Sequence, residues 1–136
     1  MNINNEIEVK TMVIVVFSDQ TELWFLKWLA RGYRHCFALV EQSEGWVLYD
    51  PLSNQSVIRY FTNNSKEKII QCYESAGYRT IETKLPNQMP QRMAPVLPYT
   101  CVEAVKRLLG VHRWFLLTPR QLFKHISEQN INEKEK

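Results

Sequence analysis

Cys101, His35 and Asp50 are the residues of this chain whose types and surroundings suit chemistry. Cys101 opens the stretch Cys101-Val102-Glu103-Ala104-Val105-Lys106-Arg107-Leu108-Leu109-Gly110, which has the marks of a short helix. Thr100 and Glu103 have capping-box spacing: the threonine hydroxyl takes a free backbone N–H and the glutamate reaches back to the cap. Gly110 suits the left-handed residue that closes a helix. Cys101 is then the first helical residue, where unpaired N–H groups and the positive end of the helix dipole lower a thiol pKa and favour the reactive thiolate. The same residues also suit plain packing. Cys101, Ala104, Val105, Leu108 and Leu109 follow the i, i+3, i+4, i+7, i+8 stripe of a core-facing helix, and free cysteine is often buried.

His35 and Asp50 belong to a hairpin. Tyr33 to Val40 reads as a strand, Glu41 to Gly45 as its turn and Trp46 to Tyr49 as the return, with Asp50-Pro51 following. Alternation puts His35, Phe37 and Leu39 on one side. If the chain folds about Ser43-Glu44, Asp50 lies opposite His35 or one diagonal step away on that same face. A carboxylate there fixes the imidazole's tautomer and stabilises its protonated form. A histidine at a strand end and an aspartate before proline also occur for backbone reasons alone.

The remaining elements hold these two pieces. Met12 to Phe17 is a continuous apolar, β-branched run, as in a strand buried on both faces. Asp19 or Thr21 caps a helix from about Glu22 to Ala30, apolar on nearly every side through Trp24, Phe25, Leu26, Trp28 and Leu29. A strand at Ser56 to Phe61, a helix from Lys66 to Ala76 capped by Ser65 and closed by Gly77, and a strand at Tyr78 to Leu85 follow. Pro86, Pro90, Pro95 and Pro98 exclude regular structure before Cys101 and indicate an ordered loop leading to the thiol. His112 to Leu117 reads as a final strand, and Thr118-Pro119-Arg120-Gln121 as a capped helix start carrying Leu122, Phe123 and Ile126 inward. The expected organisation is one α+β domain over 1–127 and a polar, disordered tail over 128–136.

At 136 residues the chain has room for one sizeable core, and 45% hydrophobic with 23% charged residues is an ordinary globular composition. The net charge of +3 is scattered, and the basic residues near Arg107, Arg113, Arg120 and Lys124 lack the interleaved aromatics of a nucleic-acid surface. Cys36, Cys72 and Cys101 have no Cys-x-x-Cys spacing, so free thiols in a reducing compartment are expected, without disulfides, structural metal or cofactor. There is no basic region with an apolar run at the N-terminus and no apolar stretch of about 20 residues, so the reading is cytoplasmic, with a virion-associated location also open.

The order histidine, carboxylate, cysteine-led helix, then Thr118-Pro119-x-x-Leu122, resembles the circularly permuted branch of the papain-like, NlpC-type cysteine hydrolases. The resemblance covers about Tyr33 to Ile126 and rests on Arg34-His35-Cys36-Phe37, Trp46 to Pro51, Tyr99 to Gly110 and Thr118 to Leu122. It implies an antiparallel sheet packed on a central helix with the cysteine at its N-terminus. It further implies Cys101 as nucleophile, His35 as base and Asp50 as the group orienting His35, with Ser53 or Asn54 in that role if the register differs. The backbone N–H of Cys101 would help hold the developing oxyanion. The implied reaction is hydrolysis of an amide, peptide or ester through a thioester, on a peptide, cell-wall peptide or acyl substrate. Cys36 points away from His35 along the strand, which counts against it as nucleophile. Two other readings stand beside this one. The first is a non-catalytic binding or assembly module of phage or mobile-element type that meets a protein partner through Trp24 and Trp28. The second, weaker, is a metal site of His35, Cys36 and Cys101.

Overall fold

A computed structural model of the chain describes residues 10–19, 32–52, 55–88 and 100–136. Their elements are β1 (Met12–Ser18), β2 (His35–Gln42), β3 (Gly45–Pro51), β4 (Ser56–Thr62), α1 (Lys66–Ser75), β5 (Arg79–Lys84), α2 (Cys101–Leu108) and α3 (Pro119–Lys134). The strands form one antiparallel sheet in the order β4-β3-β2-β1-β5, and the class is α+β.

Strand β1 lies between β2 and β5 and is covered on both faces, which is why its sequence runs apolar without alternating. On one face Val13, Val15 and Phe17 join Cys36, Ala38 and Val40 of β2 against Val102 and Val105 of α2 and Leu122 and Ile126 of α3. On the other, Ile14 and Val16 join Phe37, Leu39, Trp46 and Leu48 against Ile69 of α1. Each such aliphatic side chain contributes about 1.5–3 kcal/mol by leaving water. Phe17, Tyr33 and Phe123 add a cluster of tilted and edge-on rings, 5.3–5.8 Å between centroids, that fixes α3 to the sheet near the end of β1.

The hairpin folds about Ser43-Glu44, with Gln42 paired to Gly45. Glycine is required there, because a Cβ on Gly45 would meet the Phe61 carbonyl oxygen of β4 at 2.1 Å. Pairing of Ala38 with Tyr49, continued by one step, sets Asp50 across from Phe37 and one diagonal step from His35.

Two expectations are corrected. Residues 112–117 form a turn-containing connection, not a strand: they span the short gap between the closure of α2 and the cap of α3, and Trp114, Phe115 and Leu117 stay exposed. The polar tail is helical, since α3 runs to Lys134. The Asn130 side chain donates a 2.7 Å hydrogen bond to the Glu82 carbonyl of β5, tying this late turn to the sheet edge in place of apolar packing. The expected helix at 22–30, with Trp24 and Trp28, and the proline-containing segment 89–99 lie outside the described residues. Among the described residues no helix is long and apolar enough to cross a membrane.

Candidate active site

Helix α2 is fixed at both ends. The Thr100 hydroxyl accepts the Glu103 N–H at 3.2 Å. At the other end Val111 N–H bonds to Lys106 O at 2.8 Å and Gly110 N–H to Arg107 O at 3.3 Å, with Gly110 at φ 67°. That is the paired closure that a left-handed glycine permits. Only half of the expected capping box forms. The Glu103 carboxylate turns inward and receives Lys106 Nζ at 3.0 Å and Arg107 Nε at 3.1 Å, and these cations hold its carboxyl below the usual range against the effect of burial. Lys106 is 0% and Glu103 4% exposed, so the pair lies inside the protein.

Cys101 is the first residue of this helix and is partly accessible. His35 is the first residue of β2, paired with Ser18, the last of β1. Alternation sends the side chains of His35 and Cys36 to opposite faces, yet both are near enough to the Cys101 sulfur to lower its pKa. The sulfur therefore sits at the strand's end, where the imidazole reaches it past the last rung of the sheet. His35 Nε2 lies 2.6 Å from Asp50 Oδ1. With Nε2 committed to the carboxylate, Nδ1 is the ring nitrogen left for sulfur. His35 also lies against Phe37, with ring centroids 6.1 Å apart.

The charges follow from this geometry. The largest influence on Cys101 is the hydrogen bond from the Cys36 thiol. Burial opposes it, and the His35 hydrogen bond, the His35 charge and the Cys36 backbone N–H reinforce it, bringing the Cys101 pKa down to about 5. Burial disfavours a charged His35, but the hydrogen bonds to Asp50 and Cys101 outweigh it and raise the ring to about 9. Burial pushes the Cys36 thiol well up, and the neighbouring Cys101 anion pushes it further. At neutral pH the arrangement is a thiolate and an imidazolium in contact, with Cys36 as a neutral S–H donor.

The sequence-derived trio is thus brought together: Cys101 with His35, and His35 with Asp50. Ser53 and Asn54, the alternatives to Asp50, lie outside the described residues, as do Pro98 and Tyr99. Sequence reasoning missed Cys36 as a donor to the sulfur. Strand alternation seemed to take it off the site, and the one available signal was its position beside His35, where a strand end exposes both faces to the same group. Among the described residues no group of three or more His, Cys, Asp or Glu is arranged to hold a metal ion, so His35, Cys36 and Cys101 do not make one. A cavity of about 950 Å³ opens around the far end of α2, beside Gly110, His112 and Trp114, and the thiol is not in its lining. Comparisons with protein-family models, curated proteins and solved structures find no match for the chain.

Proposed function

We propose that this protein is a thiol-dependent acyl hydrolase, and more narrowly a member of the circularly permuted papain-like, NlpC-type group. The observation that carries the proposal is the 2.6 Å bond between His35 Nε2 and Asp50, on an imidazole near enough to Cys101 that each shifts the other's pKa. Nucleophile, base and orienting group stand in the order catalysis requires.

In this reading the Cys101 thiolate attacks the carbonyl carbon of an amide, peptide or ester. Negative charge moves to the carbonyl oxygen, and the Cys101 backbone N–H is placed to receive it, because main-chain bonding within α2 starts only at Ala104 N–H to Thr100 O. The His35 imidazolium gives its proton to the departing amine or alcohol as the tetrahedral adduct collapses to a thioester. The now neutral ring takes a proton from water, and the resulting hydroxide attacks the thioester. Collapse releases the carboxylic acid and restores the thiolate, with the His35 proton regained. Asp50 keeps the ring aligned throughout and stabilises its charged form.

The test is a panel of fluorogenic peptide, cell-wall peptide and acyl-ester substrates with the native protein, Cys101→Ala and Cys101→Ser. Turnover that both variants abolish supports the reading. Turnover that survives Cys101→Ala ends it. A second reading, a contact module without chemistry, has one observation in its favour: Trp114 is 68% and Leu117 56% exposed on the connection between α2 and α3. It expects partner capture to survive Cys101→Ala and to fail in Trp114→Ala.

A further inference from the structure

We propose that Cys36 is a second working thiol, which closes on oxidised Cys101 to form a reversible intramolecular disulfide. The inference rests on Cys101 being the reactive thiolate of the proposed site. It does not depend on which acyl bond that site cleaves.

Cys101 packs against the core cluster that contains Cys36, and the two thiols are near enough for each to shift the other's pKa. Their accessibilities set the order of events. Cys36 is 0% exposed, whereas Cys101 is partly accessible. An oxidant from solvent therefore meets Cys101 first. The oxidant class is a hydroperoxide. The Cys101 thiolate attacks the distal peroxide oxygen, the O–O bond breaks, and the departing alkoxide or hydroxide takes a proton to leave as alcohol or water. Sulfur is oxidised to the sulfenic acid and the peroxide is reduced. Cys36 sulfur then attacks the sulfenic sulfur and an S–S bond forms. The S–OH bond breaks, and the Cys36 proton leaves with the hydroxyl as water.

The first step prepares the second. Converting the thiolate to a neutral sulfenic acid removes the anion that adds to burial in holding the Cys36 thiol up, and makes the Cys101 sulfur electrophilic beside it. Forming the bond brings the two sulfurs to about 2 Å. The third cysteine, Cys72, is exposed on α1 and outside this contact. The consequence is protection: a second hydroperoxide would otherwise carry the sulfenic acid on to the irreversible sulfinic acid, whereas two equivalents of a small-molecule thiol reduce the disulfide back to both thiols.

The experiment uses the full chain with Cys72→Ser, treated with hydrogen peroxide and read by intact mass and peptide mapping. The expected product has lost two hydrogens, carries a Cys36–Cys101 linked peptide, resists alkylation, and recovers on adding dithiothreitol. Adding Cys36→Ser, or Cys36→Ala as a second variant, diverts Cys101 to the sulfinic acid at least an order of magnitude faster. Sulfinic acid forming equally fast with and without Cys36 overturns the proposal, and so does a disulfide that joins two chains. These outcomes require a Cys101 that reacts readily with peroxide and iodoacetamide at neutral pH. A Cys101 inert to both removes the thiolate reading itself, and with it this inference.

Discussion

Replacing His35 by alanine separates two effects that a single rate measurement confuses. In the native protein Cys101 titrates at about 5, so at pH 7 nearly every molecule carries the anion. The variant loses one hydrogen bond and one positive charge but keeps the Cys36 thiol and backbone N–H, the first of which is the largest stabiliser of the anion. An opposite charge in contact is worth about 1–3 pH units, which places the variant's midpoint near 7. The anion fraction at pH 7 then falls only about twofold, because the group sits at its own midpoint. Thiolate nucleophilicity rises with basicity with a coefficient of about 0.4–0.5, so the remaining anion is roughly tenfold more reactive. Alkylation at pH 7 is therefore expected to hold steady or quicken by several fold in His35→Ala, even as hydrolysis is lost. The informative quantity is the midpoint of iodoacetamide rate against pH, measured in a Cys72→Ser background. Native protein should give a midpoint near 5, and His35→Ala one near 7 with a higher alkaline plateau. Identical midpoints would refute the contact between the imidazole and the sulfur.

Acylation should show a bell-shaped pH profile: the acid limb near 5, where the thiolate gains a proton, and the alkaline limb near 9, where His35 loses one, both limbs belonging to the coupled pair. Asp50→Asn removes the carboxylate at Nε2, so the imidazolium becomes more acidic and the alkaline limb should retreat by about 1–3 pH units, read from kcat/KM profiles. Lys106→Met leaves Glu103 buried with Arg107 alone and should cost about 3 kcal/mol in urea unfolding, the low end for a broken buried pair. Adding Glu103→Gln should recover most of that loss. Gly45→Ala, which drives a Cβ into the Phe61 carbonyl, should destabilise by more than about 2 kcal/mol. Gly77→Ala, at φ 89° with open space around it, should cost only the backbone strain of about 1–2 kcal/mol.

Much of this architecture was legible because the signals were local. The unbroken apolar run of β1 states that both its faces are covered, and the turn at Ser43-Glu44 sets Asp50 on the diagonal from His35 by counting alone. The cap at Thr100 places the thiol at N1 of α2. What stayed illegible depended on partners that local spacing does not choose. Glu103 read as a capping glutamate because the spacing allows it, but Lys106 and Arg107 on the same helix offer stronger electrostatic partners in a water-poor setting. The polar end of α3 read as frayed because its anchor, the Glu82 carbonyl, lies on a strand many residues earlier. The run at 112–117 has strand-like composition but pairs with none of the described strands, and it bridges the short gap between the α2 closure and the α3 cap. The dual contact of Cys101 with His35 and Cys36 required knowing that the sulfur meets the sheet at its end, where alternation no longer separates two neighbours.

The interior ion pair one turn along from the sulfur has a mechanical consequence. Glu103, Lys106 and Arg107 all lie on α2, three and four positions apart, so at roughly 100° of azimuth per residue they share one side and tie successive turns together. They brace the first turns of the helix, so that the Cys101 thiol and the charges behind it behave as one rigid piece.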